Sequence, residues 1–158
     1  FPFARDYGIA RAVLAELVAL EQAQLEVQDE IDEGEPLAPA ALSTLTPEAW
    51  ERARFQFVRA LRIVRATHDV LPVAEAVARG ETPDRPKTAL SSYLVFRSAN
   101  ELRTERITEL DAELLTAFVT GSPFARVCER QDAEMRALES VRVLVGATER
   151  GLILRCDS

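Results

Sequence analysis

The stretch from Ser92 to Ile107, SYLVFRSANELRTERI, constrains the fold more than any other part of the chain. Two strand-length runs, SYLVFRS and ELRTERI, flank Ala99 and Asn100. Aromatic and β-branched residues suit a pleated surface, and asparagine tolerates a positive backbone angle. The spacing therefore predicts a tight antiparallel hairpin. Helical patterns follow it. Thr108 or Asp111 caps a helix carrying Leu114, Leu115 and Phe118, and Gly121 ends it. Ser122 and Pro123 cap and open a second helix, with Phe124, Val127 and Cys128 facing inward. A third helix runs from about Asp132 to Arg150, with an apolar face of Leu138, Val141, Leu144 and Val145. Gly151 stops it, and LILRC supplies a closing strand. Hairpin, three helices and closing strand predict a small winged-helix-like domain over residues 84–158, with a sheet of about three strands.

The N-terminal region, residues 1–83, is expected to be mainly helical, making the whole chain α+β. Ile9, Val13, Leu17, Leu20, Val27 and Ile31 recur at helical spacing, predicting a long helix over residues 9–31. Leu14 and Val18 add a second apolar stripe, which predicts that the first half lies deep. The acidic stretch Glu26 to Glu35 reads as a solvated helix end, stopped by Gly34 and Pro36. Thr46 before Pro47 is an N-cap followed by a first-turn proline, predicting a short helix over residues 47–52. RARFQFVRALRIVRA fits either periodicity, and its Phe, Val and Ile content favours a strand. A short helix over residues 72–79 ends at Gly80, and GETPDRPKT forms a proline-bearing connector between the two regions.

Charge and chemistry narrow the function. Nineteen Lys and Arg against 26 Asp and Glu give a net charge of −7, which opposes a phosphate backbone unless the cations are gathered on one face. Arg126, Arg130, Arg136 and Arg142 alternate with Glu129, Asp132, Glu134 and Glu139, the pattern of a solvated amphipathic surface. An acidic winged-helix DNA-binding or transcription-regulatory protein therefore stays only as the alternative, and no nucleic acid is expected. His68 is the single histidine, beside Asp69, and no phosphate loop, nucleophile elbow or Cys–His pairing accompanies it. The chain is expected to be non-catalytic, with no metal or cofactor of its own. Cys128 and Cys156 lack metal-type spacing and read as reduced, partly buried thiols. With no apolar run near the roughly 20 residues of a membrane helix, a cytoplasmic protein without membrane contact is expected.

The run YLVFR, then ELRTERITELDAELLTAFVTGSPFARVCE, then ALESVRVLVGATERGLIL resembles the recognition element of ribosomally synthesised, post-translationally modified peptide (RiPP) pathways. The matching features fall on Leu110, Leu114, Leu115, Gly121, Ser122, Gly151 and Leu152 to Leu154. More widely, the FPFARDY start, RALRIVRATHDVLPV and LVFR look like the C-terminal half of HvfC/BufC-type proteins. In size the chain is similar to the short partner protein of the thiaglutamate pathway, the larger members carrying an extra N-terminal domain. The resemblance implies an accessory subunit, in a heterodimer, that binds a precursor peptide and presents its cysteine to a multinuclear non-haem iron oxidase. The iron would lie in that partner, and residues 1–83 would contact it. By the same resemblance the peptide adds to ELRTERI as a further strand. Leu102, Thr104 and Arg106 would point one way and Arg103, Glu105 and Ile107 the other. Arg103 and Arg106 would suit acidic peptide residues, and Arg136, Glu139, Ser140 and Val143 of the third helix would line the groove.

Overall fold

The computed structural model describes residues 2–31 and 34–158, with side chains from residue 10 onward. The FPFARDY side chains, that of Ile9, and the acidic pair Asp32 and Glu33 lie outside the described residues. A long helix α1 (Pro2–Asp29) precedes two short ones, α2 (Ala40–Ser43) and α3 (Pro47–Arg52). Thr46 caps α3 as its sequence predicts, its side chain accepting from the Ala49 N–H at 3.2 Å. Strands β1 (Arg54–Phe57) and β2 (Leu61–His68), helix α4 (Leu71–Ala78) and the hairpin β3 (Thr88–Ser98) and β4 (Glu101–Ile107) follow. Helices α5 (Glu109–Val119), α6 (Phe124–Cys128) and α7 (Ala133–Glu149) lead to β5 (Ile153–Asp157).

RARFQFVRALRIVRA is extended, but as two strands in two sheets. Val58 to Ala60 form a corner tied to both sheets by backbone bonds: the Val58 N–H donates to the Leu152 carbonyl at 2.9 Å, and Ala60 accepts from the Arg97 N–H at 3.2 Å. The three-stranded antiparallel sheet has the order β2-β3-β4, and β1 pairs with β5 in a separate ribbon. This corrects the expectation that the closing strand joins the hairpin. Residues 91–96 of β3 are buried without interruption, the mark of a central strand covered on both faces and paired on both edges. The eight residues of β2 fill the place expected for β5.

Alternation along β3 sorts the core into two clusters. Tyr93 and Val95 face Val13, Leu20, Ala23 and Val27 of α1, while Leu94 and Phe96 face the aromatic and aliphatic residues of α5, α7, β1 and β5. Complete burial of Phe118, Leu114 and Leu144 contributes about 1.5–3 kcal/mol each. Both clusters draw on residues from either side of the expected 83/84 boundary, and both sheets cross it, so the two regions share their cores.

Two helices present different faces from those their patterns suggest. Leu14 and Val18 of α1 are 62% and 61% exposed rather than deep, because α1 rests on a single surface and one stripe suffices to cover it. On α7 the buried set is Ser140, Val143, Leu144, Ala147 and Thr148, and Leu138 is 64% exposed. Small side chains at 140 and 147 let α7 approach closely, and the Thr148 hydroxyl is satisfied by the Leu144 and Val145 carbonyls.

Polar ties hold α1 to the sheet. Glu16 accepts from the Thr67 and His68 N–H groups at 2.7 and 3.2 Å and lies 3.0 Å from the His68 Nδ1. Arg62 pairs with Glu26 and Glu30, so this part of the acidic stretch is engaged within the chain. Arg97 donates to the Val27 and Gln28 carbonyls, which lack helical partners at the end of α1.

Candidate functional site

The hairpin turn fixes which groups β4 offers outward. Ala99 and Asn100 have φ of 49° and 65°, the paired left-handed conformation of a two-residue type I′ turn. Such a turn makes Ser98 and Glu101 a hydrogen-bonded pair, and bonding then alternates along the ladder. Leu102, Thr104 and Arg106 fall at the non-bonded positions. Their N–H and C=O groups point to the far edge of β4, where no strand pairs among the described residues. From Leu102 to Arg106 this edge runs about 14 Å. A guest strand can make up to six main-chain bonds there, at roughly 0.5–1.5 kcal/mol each.

Side chains wall the edge on both faces. On the α1 side, Thr104 accepts from the Gln24 amide at 3.0 Å. Arg106 reaches Asp69 at 2.6 Å and Ser91 at 3.3 Å. Asp69 also accepts from the Tyr93 hydroxyl at 2.9 Å, which in turn accepts from the Val70 N–H at 2.9 Å. Burial, first of all, pushes the Tyr93 phenol up from its ordinary value. On the other side, Glu105 pairs with Arg150 at 2.8 Å, and Arg150 donates to the Gly146 carbonyl at 2.9 Å. Among the described residues, Arg103 has only the exposed Glu101 as partner, at 3.1 Å.

Between β4 and α7 lies a groove of about 380 Å³. Ile107, Leu115, Val143 and Val145 form much of its wall, and Asp111, Arg142 and Arg150 stand at its mouth. Arg142 bridges Asp111 of α5 to Glu139 of α7, and these two carboxylates raise its pKa, Asp111 most. Gly146 leaves the space that Arg150 crosses: a Cβ there would stand 2.8 Å from the Arg150 Nη1.

The residues read from sequence divide accordingly. Leu102 to Ile107 do form the edge strand, with both faces occupied as alternation requires. Arg106 is bound into the Asp69 network, whereas Arg103 can exchange a weak surface partner for a guest carboxylate. Of the four α7 residues, Val143 lines the groove. Ser140 is wholly buried, its hydroxyl 3.9 Å from the Cys128 Sγ. Arg136 ties α6 and α7 to α5 through the Val127 carbonyl and Glu113, and draws the Glu113 carboxyl below its ordinary value. Glu139 orients Arg142. Asp111, Arg142, Gly146 and Arg150 were not legible from sequence. The one available signal was a glycine within a helix, four positions before an arginine.

His68 is nearly buried against Glu16, and no group of three or more His, Cys, Asp or Glu converges among the described residues. Cys128 and Cys156 are free and half-buried, and burial raises both thiols above their ordinary values. Among the described residues no helix is long and apolar enough to cross a membrane. Compared with known proteins, the chain matches no protein-family model, no curated protein and no solved structure.

Proposed function

We propose that this chain is a recognition subunit that takes an extended peptide onto the outer edge of β4. The observation that carries this reading is the unpaired edge itself: three residues offer main-chain donors and acceptors beside a groove floored by aliphatic side chains. Guest side chains at alternate positions enter that groove, while those between lie toward Gln24 on α1. Arg103 gives a cationic contact for an acidic guest residue. The succession of hairpin, α5, α6 and α7 supports a winged-helix-like arrangement of this part.

The sequence resemblance extends the proposal. The guest is a ribosomally made precursor peptide, and a partner iron-dependent oxidase modifies its cysteine while this chain contributes binding and no catalysis. Duplex DNA suits the surface less, because three of the four arginines of α6, α7 and the segment between them that could meet phosphate are already engaged: Arg130 and Arg136 on Glu113, and Arg142 on Asp111 and Glu139.

A labelled cysteine-containing precursor peptide encoded beside the gene, titrated with the purified chain, tests the reading. Leu102→Pro removes an outward donor and is expected to weaken binding tenfold or more while the fold persists. Amide exchange at Leu102, Thr104 and Arg106 is expected to slow when peptide is added. If Leu102→Pro and Arg103→Glu both bind like the parent, the edge is not the site.

A further inference from the structure

A second concavity, of about 580 Å³, lies on another flank of α7. Leu45 and Trp50 form one wall, Leu138 and Val141 the other, and Phe124 the floor. The floor is rigid, because the Trp50 ring packs edge-on against Phe124 at 5.0 Å and Phe124 stacks on Phe118 at 6.2 Å. The upper wall is uncovered: Leu138 and its neighbour Met135 are more than half exposed. Lining residues recur along α7 from Glu134 through Leu138 and Val141 to Val145, a path of about 16 Å or three helical turns. A trough of that length with an apolar floor fits a helix laid alongside α7.

Charge selects among helices. Glu134 belongs to the lining and forms no ion pair with another described residue. A second copy of the chain would bring one charge of −7 against another, whereas a cationic guest neutralises Glu134. We infer that this groove docks a cationic amphipathic helix of a partner protein. Its apolar face rests on Trp50, Phe124 and Leu138, and a lysine or arginine meets Glu134. The two grooves meet only at Val145, and this surface shares no residue with the β4 edge itself.

Trp50 is the single tryptophan, so its emission reports the groove directly. The probes are a synthetic amphipathic Leu/Lys helix of about 14 residues, and a Leu/Glu helix of the same pattern. The Leu/Lys peptide is expected to shift Trp50 emission saturably, and the Leu/Glu peptide to leave it unchanged. Leu138→Glu is expected to lower Leu/Lys affinity about tenfold or more, although it adds negative charge that would favour nonspecific attraction of a cation. Glu134→Gln is expected to lower it roughly fivefold, and Leu102→Pro on β4 to leave it as in the parent. Circular dichroism of each variant confirms that the fold persists. Equal binding of the two peptides, or parent-like binding by folded Leu138→Glu, overturns the proposal. So does a parent that sediments as a dimer and becomes monomeric on Leu138→Glu, because the groove would then belong to a second copy.

Discussion

Glu16 is the side chain on which docking of α1 most visibly turns. Burial alone would raise its carboxyl, but hydrogen bonds from the Thr67 side chain and backbone and from His68 outweigh this, leaving it below the ordinary glutamate value. A folded-state pKa depressed in this way contributes stability above the unfolded value and loses it as pH falls through the folded one. Stability against urea is therefore expected to fall from about pH 5 downward, and Glu16→Gln to be less stable at neutral pH with a flatter acid dependence. Tyr93→Phe probes the neighbouring network: the Val70 N–H loses its hydroxyl partner, at about 1–3 kcal/mol, read by denaturant titration and faster exchange of the Val70 amide. Residues that act through neighbours in sequence were legible beforehand. Thr46 and Thr108 cap their helices, the latter accepting from the Asp111 N–H at 3.1 Å, and Asn100 takes the positive φ its turn requires. Glu16 carried no such signal, because its partners lie on a strand far along the chain.

Among the elements, α7 shows what periodicity leaves open. Its sequence supports more than one apolar stripe, and the choice depends on how closely α6 and the sheet approach rather than on the helix itself. Leu144→Ala is expected to destabilise by about 2–5 kcal/mol and Leu138→Ala by no more than about 0.5, compared by chemical denaturation. Gly146→Ala tests the groove mouth. The added methyl drives the Arg150 guanidinium away from Glu105, and the loss of this half-exposed pair, roughly 0–1 kcal/mol, is offset by about 1 kcal/mol of helix propensity. Thermal stability is expected to change little while peptide affinity at β4 shifts. A large fall in stability would mean that Gly146 serves packing rather than the position of Arg150.

Across the whole molecule, the α+β class and the hairpin were legible, whereas strand partnership was not. Extended character is local, but β1 finds β5 and β2 finds β3 only through the shared core, and neither register is written in nearby residues. Because both sheets join residues on either side of position 83, fragments 1–83 and 84–158 are each expected to lack a cooperative thermal transition. Mixing them is expected to restore one; independent cooperative melting of residues 84–158 would refute this. The β1–β5 ribbon also bears on the order of assembly. Each step of the β2-β3-β4 meander closes a modest loop, whereas Arg54 meets Asp157 across roughly 100 intervening residues. During synthesis the aromatic side chains of β1 must wait until residues 153–157 have left the ribosome, and until then Phe55 and Phe57 lack the strand that covers them.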